Sequence, residues 1–269
     1  MSHSPAVAVA VCQFAPTASR AANRERIAEQ VAAAAARGAT LVVLPEYSSY
    51  FVNPLDDTLV ANAETLEGEF VQTLRALAAE YGVVVVAGLV EKADDAHRVR
   101  NAVVAVRGEG ILAVYRKQHL YDAFGQAESD WVEPGEVGEA ATFELGGLRF
   151  GLMTCYDLRF PEVARTLVDA DADVLVVPAE WVRGPLKEHH WTTLLAARAI
   201  ENTVYVVAAD HPAPIGVGHS QIVGPHGVVL AGIASEEGIA VAPVERAVID
   251  RVRETNPSLR MRRYTVAPR

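Results

Sequence analysis

Short runs of apolar and β-branched residues alternate along this chain with stretches of helical periodicity. Alternating Ala and Val predict a buried strand over residues 7–14, and an Ala-rich segment predicts a helix over 23–37 that stops at Gly38. Glycine-containing turns at 107–110 and 146–147 separate apolar runs and predict two β-hairpins. The other elements predicted from the pattern are a strand at 41–44, a helix at 70–81 and a strand at 83–89. This alternation is typical of an α/β protein.

The second half of the chain repeats the order of elements found in the first half. The corresponding segments are 11–13 with 154–156, 38–45 with 171–178, 83–89 with 204–210, and the turn 107–110 with the turn 224–227. Two related sheets packed into one domain, each with two helices on its outer face, would explain this similarity. We therefore predict a four-layer α-β-β-α sandwich with internal pseudo-two-fold symmetry. The alternative is that the matching Val-Val-x-Pro strings arose by chance.

Length and charge exclude several classes of partner. The chain has 269 residues, of which 51% are hydrophobic, and its net charge is −10. An acidic protein lacks the basic footprint that nucleic acid or an anionic membrane requires. The first apolar run is too short to span a bilayer and has no basic leader, and two cysteines do not form a disulfide framework. We expect a cytoplasmic protein that binds neither nucleic acid nor membrane.

Three reactive side chains each follow a predicted strand. They are Glu46, Lys117 and Cys155. In α/β sheets the carboxyl ends of strands are where ligands and catalytic groups gather, so these three residues are candidates for one site. Only three of the 24 basic residues are lysines, and lysine offers a compact charge with a shiftable pKa.

The two cysteines have different sequence surroundings. Cys12 continues an Ala/Val alternation and is predicted to be a packing residue. Cys155 opens a polar run just before Pro161, which favours the start of a helix. Backbone N–H groups between a strand and a helix can lower the pKa of a thiol and receive an oxyanion. We therefore interpret Cys155 as a nucleophile.

Three sequence blocks carry a family resemblance. Leu44-Pro45-Glu46, the block from Tyr115 to Asp122 and the block from Cys155 to Glu162 resemble the signature blocks of the nitrilase superfamily, the carbon-nitrogen hydrolases. The resemblance extends from the first strand to Asp250. It implies the same four-layer sandwich, a Glu46-Lys117-Cys155 catalytic constellation, and a homodimer or larger assembly.

The resemblance implies amide hydrolysis through a cysteine thioester, without a metal or an organic cofactor. Glu46 would be the general base and then the general acid, and burial would have to raise its pKa. Lys117 and the backbone N–H of Tyr156 would stabilise the oxyanion. Glu128 resembles the family's second glutamate, which orients the lysine and the substrate; the alternative is an ordinary acidic loop residue.

Further residues are weaker candidates. Trp181 resembles an aromatic pocket wall, with a core tryptophan as the alternative, while Arg183 and His190 are candidates for binding a substrate carboxylate. Arg159 and Glu162 are predicted to form a structural ion pair at a helix start. The sequence around the cysteine block resembles the omega-amidase and deaminated-glutathione-amidase group, which implies a small carboxylate-bearing amide as substrate and release of ammonia. The connection from Tyr121 to Glu128 is shorter than in that group.

Three alternatives remain open at this point. A papain-like hydrolase would use His119 or His219 as its base, although the local signature of that class is absent. A catalytically silent binding or scaffold protein on the same fold is the second, and a nitrile hydrolase is the third. Residues 1–250 are predicted to form one hydrolase domain, and 251–269 an Arg-rich tail at an oligomer interface.

Overall fold

Two β-sheets stack face to face and carry helices on their outer surfaces. The computed structural model describes residues 6–138 and 140–269. Its strands are β1 (Val7–Gln13), β2 (Leu41–Val43), β3 (Val84–Lys92), β4 (Val99–Arg107), β5 (Gly110–Arg116), β6 (Val132–Glu133), β7 (Thr142–Leu145), β8 (Leu148–Leu152), β9 (Val174–Pro178), β10 (Tyr205–Ala209), β11 (Gln221–Val223), β12 (Val229–Gly232) and β13 (Gly238–Val244). Its helices are α1 (Arg20–Ala36), α2 (Thr58–Asn62), α3 (Glu69–Tyr81), α4 (Pro161–Asp169), α5 (Lys187–Asn202) and α6 (Arg246–Thr255).

The two sheets have the same internal plan. The first has the strand order β13-β1-β2-β3-β4-β5, with β6 paired to β4, and the second has the order β12-β11-β10-β9-β8-β7. In each sheet three central strands are parallel, β1-β2-β3 in one and β8-β9-β10 in the other. An antiparallel hairpin flanks each parallel set on one side and a single antiparallel strand flanks it on the other. This arrangement bears out the predicted pseudo-symmetry.

Alternation along the strands divides the core into three layers of side chains. Val9 and Val11 of β1 face the opposite sheet, where Phe150 and Leu152 of β8 also pack. The intervening residues of β1 face α1 and α3, and the outer face of the second sheet packs against α4 and α5. Because successive strand residues point to opposite faces, one Ala/Val run supplies both layers. The predicted α-β-β-α sandwich is confirmed.

The ends of the helices follow local chemistry. Helix α1 begins at Arg20, three residues before the predicted start, because the Ser19 hydroxyl caps it by accepting from the Ala22 N–H. Helix α3 ends at Gly82, whose φ is 66°. No helix in the described residues is long and apolar enough to cross a membrane.

The topology brings the candidate residues to one edge. β5 runs parallel to β2, because two antiparallel pairings separate it from β3. The residues that follow β2 and β5 therefore leave the first sheet at the same edge, and the residue Cys155 that follows β8 of the second sheet lines the same cavity as Glu46 and Lys117. The division into residues 1–250 and a tail stays a prediction; α6 runs across the proposed boundary.

Candidate active site

Glu46 lies shortly after the end of strand β2 and is 1% exposed. Its Oε1 accepts from the Lys117 Nζ at 2.9 Å and from the Asn101 side-chain amide at 2.7 Å. Its Oε2 accepts from the backbone N–H of Glu180 at 2.6 Å. Both oxygens of this carboxyl are therefore held in place by groups from three different parts of the chain.

Gly88 of β3 makes room for the backbone that carries Glu46. A Cβ at position 88 would stand 2.4 Å from the Tyr47 backbone nitrogen and 2.7 Å from the Glu46 Cα. Only glycine allows the backbone that carries Glu46 to approach the neighbouring strand so closely.

Lys117 joins Glu46 to Glu128. Its Nζ is 2.9 Å from Glu46 Oε1 and 2.9 Å from Glu128 Oε2, and the lysine is 2% exposed. Glu128 Oε1 also accepts from the Tyr47 hydroxyl at 2.6 Å, and its Oε2 accepts from the Tyr121 N–H at 2.6 Å. Glu128 is thus buried and fully hydrogen-bonded, unlike an ordinary acidic loop residue.

The environments of these three groups move their pKa values in different directions. Burial raises the pKa of Glu46, and the Glu128 charge raises it further. Burial also opposes ionisation of Glu128, but Lys117 and the hydrogen bond from Tyr47 prevail and lower its pKa. Although burial disfavours the lysine charge, Glu128 and Glu46 raise the pKa of Lys117 well above its usual value. The result is a permanent Lys117–Glu128 ion pair beside a carboxyl that can exchange a proton.

Cys155 begins a short turn after β8. Its φ is 44°, a left-handed conformation, and it opens the 3-10 turn Cys155–Arg159. The buried Asp157 fastens this turn by accepting from the Thr154 N–H at 3.1 Å and from the Tyr115 hydroxyl at 2.7 Å. Since Tyr115 lies on β5, Asp157 ties the cysteine turn to the strand that leads into Lys117.

The predicted lowering of the Cys155 pKa is wrong. Burial raises the pKa of this thiol well above its usual value, and the neighbouring Glu46 charge raises it further, while Lys117 opposes them. The thiol Sγ donates to the Glu180 carbonyl at 3.3 Å. At rest the sulfur is therefore a protonated thiol, and it needs a base to become a nucleophile.

These residues open into a cavity of about 300 Å³. The residues that line it include Glu46, Lys117, Glu128, Cys155 and Tyr156. Aromatic residues form much of the remaining wall, and they are Tyr47, Phe51, Tyr121, Trp131 and Trp181. A mostly apolar cavity with a few convergent polar groups is the usual form of a small-molecule site.

The sequence analysis did not predict that two further cations, Arg159 and Lys187, line this cavity. Arg159 lies with its Cζ 4.8 Å above the Trp181 ring, and Lys187 donates to the Tyr121 hydroxyl at 2.7 Å. The predicted ion pair between Arg159 and Glu162 is wrong, because Arg159 turns into the cavity, where it stacks on Trp181, and no such pair occurs in the described residues. The scarcity of lysine, which drew attention to Lys117, was equally a signal for Lys187.

The predicted substrate-binding residues divide into two groups. Trp181 is 3% exposed and lines the cavity, and its ring nitrogen donates to the Lys187 carbonyl. His190 does not line it, but its Nδ1 lies 3.4 Å from Arg159. Arg183 is about half exposed, lies 3.9 Å from the Glu188 carboxylate and is also outside the lining.

The histidines invoked by the papain-like alternative lie elsewhere. His119 places its Nδ1 2.8 Å from Asp157 and stacks on the Phe160 ring. The backbone carbonyl of His219 accepts from Trp191. Among the described residues, the cavity lining includes no histidine.

Known proteins are similar to this chain in sequence and in fold. The family model for carbon-nitrogen hydrolases matches residues 8–254. The chain is similar to the deaminated glutathione amidase of Escherichia coli O157:H7, with 41% identity covering 95% of this chain and 97% of the relative. The fold is similar to that of a carbon-nitrogen hydrolase from Helicobacter pylori, with a TM-score of 0.87 and 27% identity over 96% of each chain. It is also similar to Saccharomyces cerevisiae Nit3, of the nitrilase superfamily, with a TM-score of 0.84 and 26% identity over 96% of this chain and 97% of that one.

The chain belongs to the carbon-nitrogen hydrolase family. It is an amidase of this family, as the sequence blocks implied.

Proposed function

We propose that Glu46, Lys117, Glu128 and Cys155 catalyse the hydrolysis of a small carboxylate-bearing amide, of the kind that deaminated glutathione represents. The observation that supports this proposal most strongly is the Glu46–Lys117–Glu128 hydrogen-bond chain in the cavity that also holds the Cys155 thiol. An acid-base carboxyl, a fixed cation and a nucleophile are what acyl transfer requires.

Acylation begins with the transfer of the thiol proton from Cys155 to Glu46. The thiolate attacks the amide carbon, and the oxygen of the tetrahedral intermediate takes the negative charge. Lys117 and the backbone N–H of Tyr156 stabilise this oxyanion, and one such donor contributes about 3 kcal/mol to lowering the barrier. Glu46 then gives its proton to the leaving nitrogen, the C–N bond breaks, and a thioester remains on Cys155.

Deacylation repeats these steps with water. Glu46 takes a proton from the water, the oxygen attacks the thioester carbon, and the oxyanion is stabilised by the same donors. The C–S bond breaks, the sulfur regains a proton from Glu46, and the acid leaves. A primary amide releases ammonia, whereas an amide with a dipeptide on nitrogen, such as deaminated glutathione, releases the dipeptide amine.

Arg159 and Lys187 are the groups that bind the substrate carboxylate. Among the described residues they are the two cations that line the cavity apart from Lys117, and Lys117 is already paired with two carboxyls. Burial and the neighbouring Arg159 charge lower the pKa of Lys187, so an added anion would relieve the repulsion between the two cations. Trp181 holds the arginine by stacking.

Assembly and location belong to the same proposal. We expect a homodimer or larger homo-oligomer in the cytoplasm, with the tail at 251–269 at the interface. Tyr264 in this tail is 91% exposed, as expected for a residue that a partner subunit would cover.

The test measures hydrolysis of amides that differ in charge. The parent protein is expected to hydrolyse 2-oxoglutaramate with a kcat/KM at least about tenfold above that for propionamide, because only the first carries a carboxylate for Arg159 and Lys187. Lys187→Gln should raise the KM for 2-oxoglutaramate and leave propionamide turnover unchanged. Equal rates on both amides would overturn the assigned substrate class, and no turnover of any amide would favour a silent binding protein.

A further inference from the structure

Glu180 is a further carboxyl in the cavity, and the catalytic cycle does not use its side chain. Its backbone is fixed against both reacting groups, because its N–H donates to Glu46 and its carbonyl accepts from Cys155. The residue also lines the cavity in which these two groups lie. The main chain of Glu180 is therefore fixed at the reaction site by the same contacts that position the base and the thiol.

One oxygen of this side chain lacks a partner. The Oε1 of Glu180 is buried and accepts or donates no hydrogen bond within the described residues. A buried polar atom without a partner lowers stability, so such atoms are rare in folded proteins unless a ligand satisfies them. Because Glu180 lines the cavity, a rotation of its side chain toward a bound substrate would replace this unpartnered position with a hydrogen bond.

Burial and the neighbouring carboxyls favour the neutral form of this carboxyl. Burial raises the pKa of Glu180 well above its usual value, and the nearby Glu46 and Asp210 carboxyls raise it further. A protonated carboxyl has one O–H donor and one carbonyl acceptor. It suits an uncharged oxygen on the substrate better than a second carboxylate or an ammonium group.

Glu180 lines the cavity together with the nucleophile Cys155 and the cations Arg159 and Lys187. An ionised Glu180 would raise the pKa values of both Cys155 and Lys187, which is consistent with a position within electrostatic reach of both. A substrate whose amide is at Cys155 and whose carboxylate is at Lys187 would pass its connecting carbons beside Glu180.

We propose that Glu180 is a specificity-determining residue that hydrogen-bonds an oxo or hydroxyl oxygen on the carbon chain between the substrate's amide and its carboxylate. This inference rests on the proposed function and adds to it a chemical requirement on the middle of the substrate. It selects 2-oxo and 2-hydroxy acid amides over unsubstituted amides and over 2-amino acid amides.

The test compares three amides that differ at one carbon. They are 2-oxoglutaramate, glutaramate, which lacks the substituent, and glutamine, which carries an ammonium group there. Glu180→Ala should lower kcat/KM for 2-oxoglutaramate by about 10- to 100-fold and change that for glutaramate by less than about threefold, because only the oxo substrate loses a hydrogen bond. Glu180→Gln, a neutral isostere, should stay within about threefold of the parent on both. Glu109→Gln, in the exposed turn between β4 and β5, is the matched control.

Several results would overturn the inference and leave the proposed function standing. They are an equal loss on both substrates in Glu180→Ala, a loss in Glu180→Gln as large as in Glu180→Ala, and a parent protein that prefers glutamine to 2-oxoglutaramate. Failure of the parent to hydrolyse any of the three would instead overturn the proposed function, and this inference with it.

Discussion

Cys12 lies in β1 and Cys155 lies just after β8, the corresponding strand of the other sheet, and the two thiols have different surroundings. The pairing of β1 with β2 and of β8 with β9 aligns Cys12 with Met153, so the predicted match of residues 11–13 with 154–156 is wrong by two residues. Cys12 lies within β1, opposite Ile239 of β13, and its side chain packs among the residues that face α1 and α3. The corresponding strand β8 stops at Leu152, and the chain turns so that Cys155 adopts a φ of 44° and lines the cavity. A change of backbone path, more than a change of residue type, separates the packing cysteine from the reactive one.

The charged groups near the two thiols also differ. Burial raises the pKa of Cys12 to about 12, and the Arg37 charge opposes this rise. Burial also raises the pKa of Cys155, but Glu46 and Lys117 act on it directly. A buried thiol is unreactive while it stays protonated, and this holds for both cysteines. Of the two, Cys155 has the carboxyl of Glu46 beside it as a proton acceptor.

Removing each sulfur should separate these two roles most clearly. Cys155→Ala is expected to lower kcat at least about 10³-fold and to leave the melting temperature close to that of the parent, because it removes the nucleophile. Cys12→Ala should keep the parent's kcat and lower stability by about 1 kcal/mol, because it leaves a small cavity in a packed core. Steady-state kinetics and calorimetry measure the two effects. Full activity in Cys155→Ala would contradict the assignment.

The pH dependence should show which carboxyl serves the thiol. Glu46 must be ionised to accept a proton, so kcat/KM is expected to fall as the pH drops through its raised pKa. Because the Glu128 charge contributes to that raised value, Glu128→Gln should shift the acidic limb of the profile to lower pH while also lowering kcat. The measurement is kcat/KM from about pH 4 to about pH 8, a range that spans the usual pKa values of carboxyl and histidine side chains. An acidic limb that moves to higher pH, or stays in place, would show that Glu46 does not titrate in this way.

Alkylation should reveal the smallest difference between the two cysteines, the difference in their reactivity. Mild iodoacetamide treatment is expected to modify Cys155, which lines the cavity and can lose its proton to Glu46, and to leave Cys12 intact because it is fully buried in the core and its pKa is about 12. Peptide mass mapping identifies the labelled residue. Equal labelling of both cysteines in the folded protein would remove the distinction between them.

The hydrophobic pattern was sufficient to predict the sandwich because each strand supplies two faces of the core. The turns at 107–110 and 146–147 and the repeated order of elements also appear in the observed topology. Strand-end positions were equally informative about Glu46, Lys117 and Cys155, because parallel strands end at the same edge of a sheet.

What could not be predicted depends on contacts between distant segments. Lys187 begins a helix and does not follow a strand, so its approach to Tyr121 becomes visible only in three dimensions. Arg159 has an acidic neighbour in sequence, Glu162, but its stacking partner Trp181 comes from the end of β9. The direction of the Cys155 pKa was missed because it depends on burial, which the local sequence does not reveal.

The thioester on Cys155 can be observed directly. Rapid acid quenching of the protein with 2-oxoglutaramate, followed by intact mass measurement and peptide mapping, should show one acyl group on Cys155. Cys12→Ala should carry the same adduct, and Cys155→Ala should carry none. Rapid hydrolysis by Cys155→Ala, or an acyl group that maps to any other residue, would contradict the proposal that this thiol is the nucleophile.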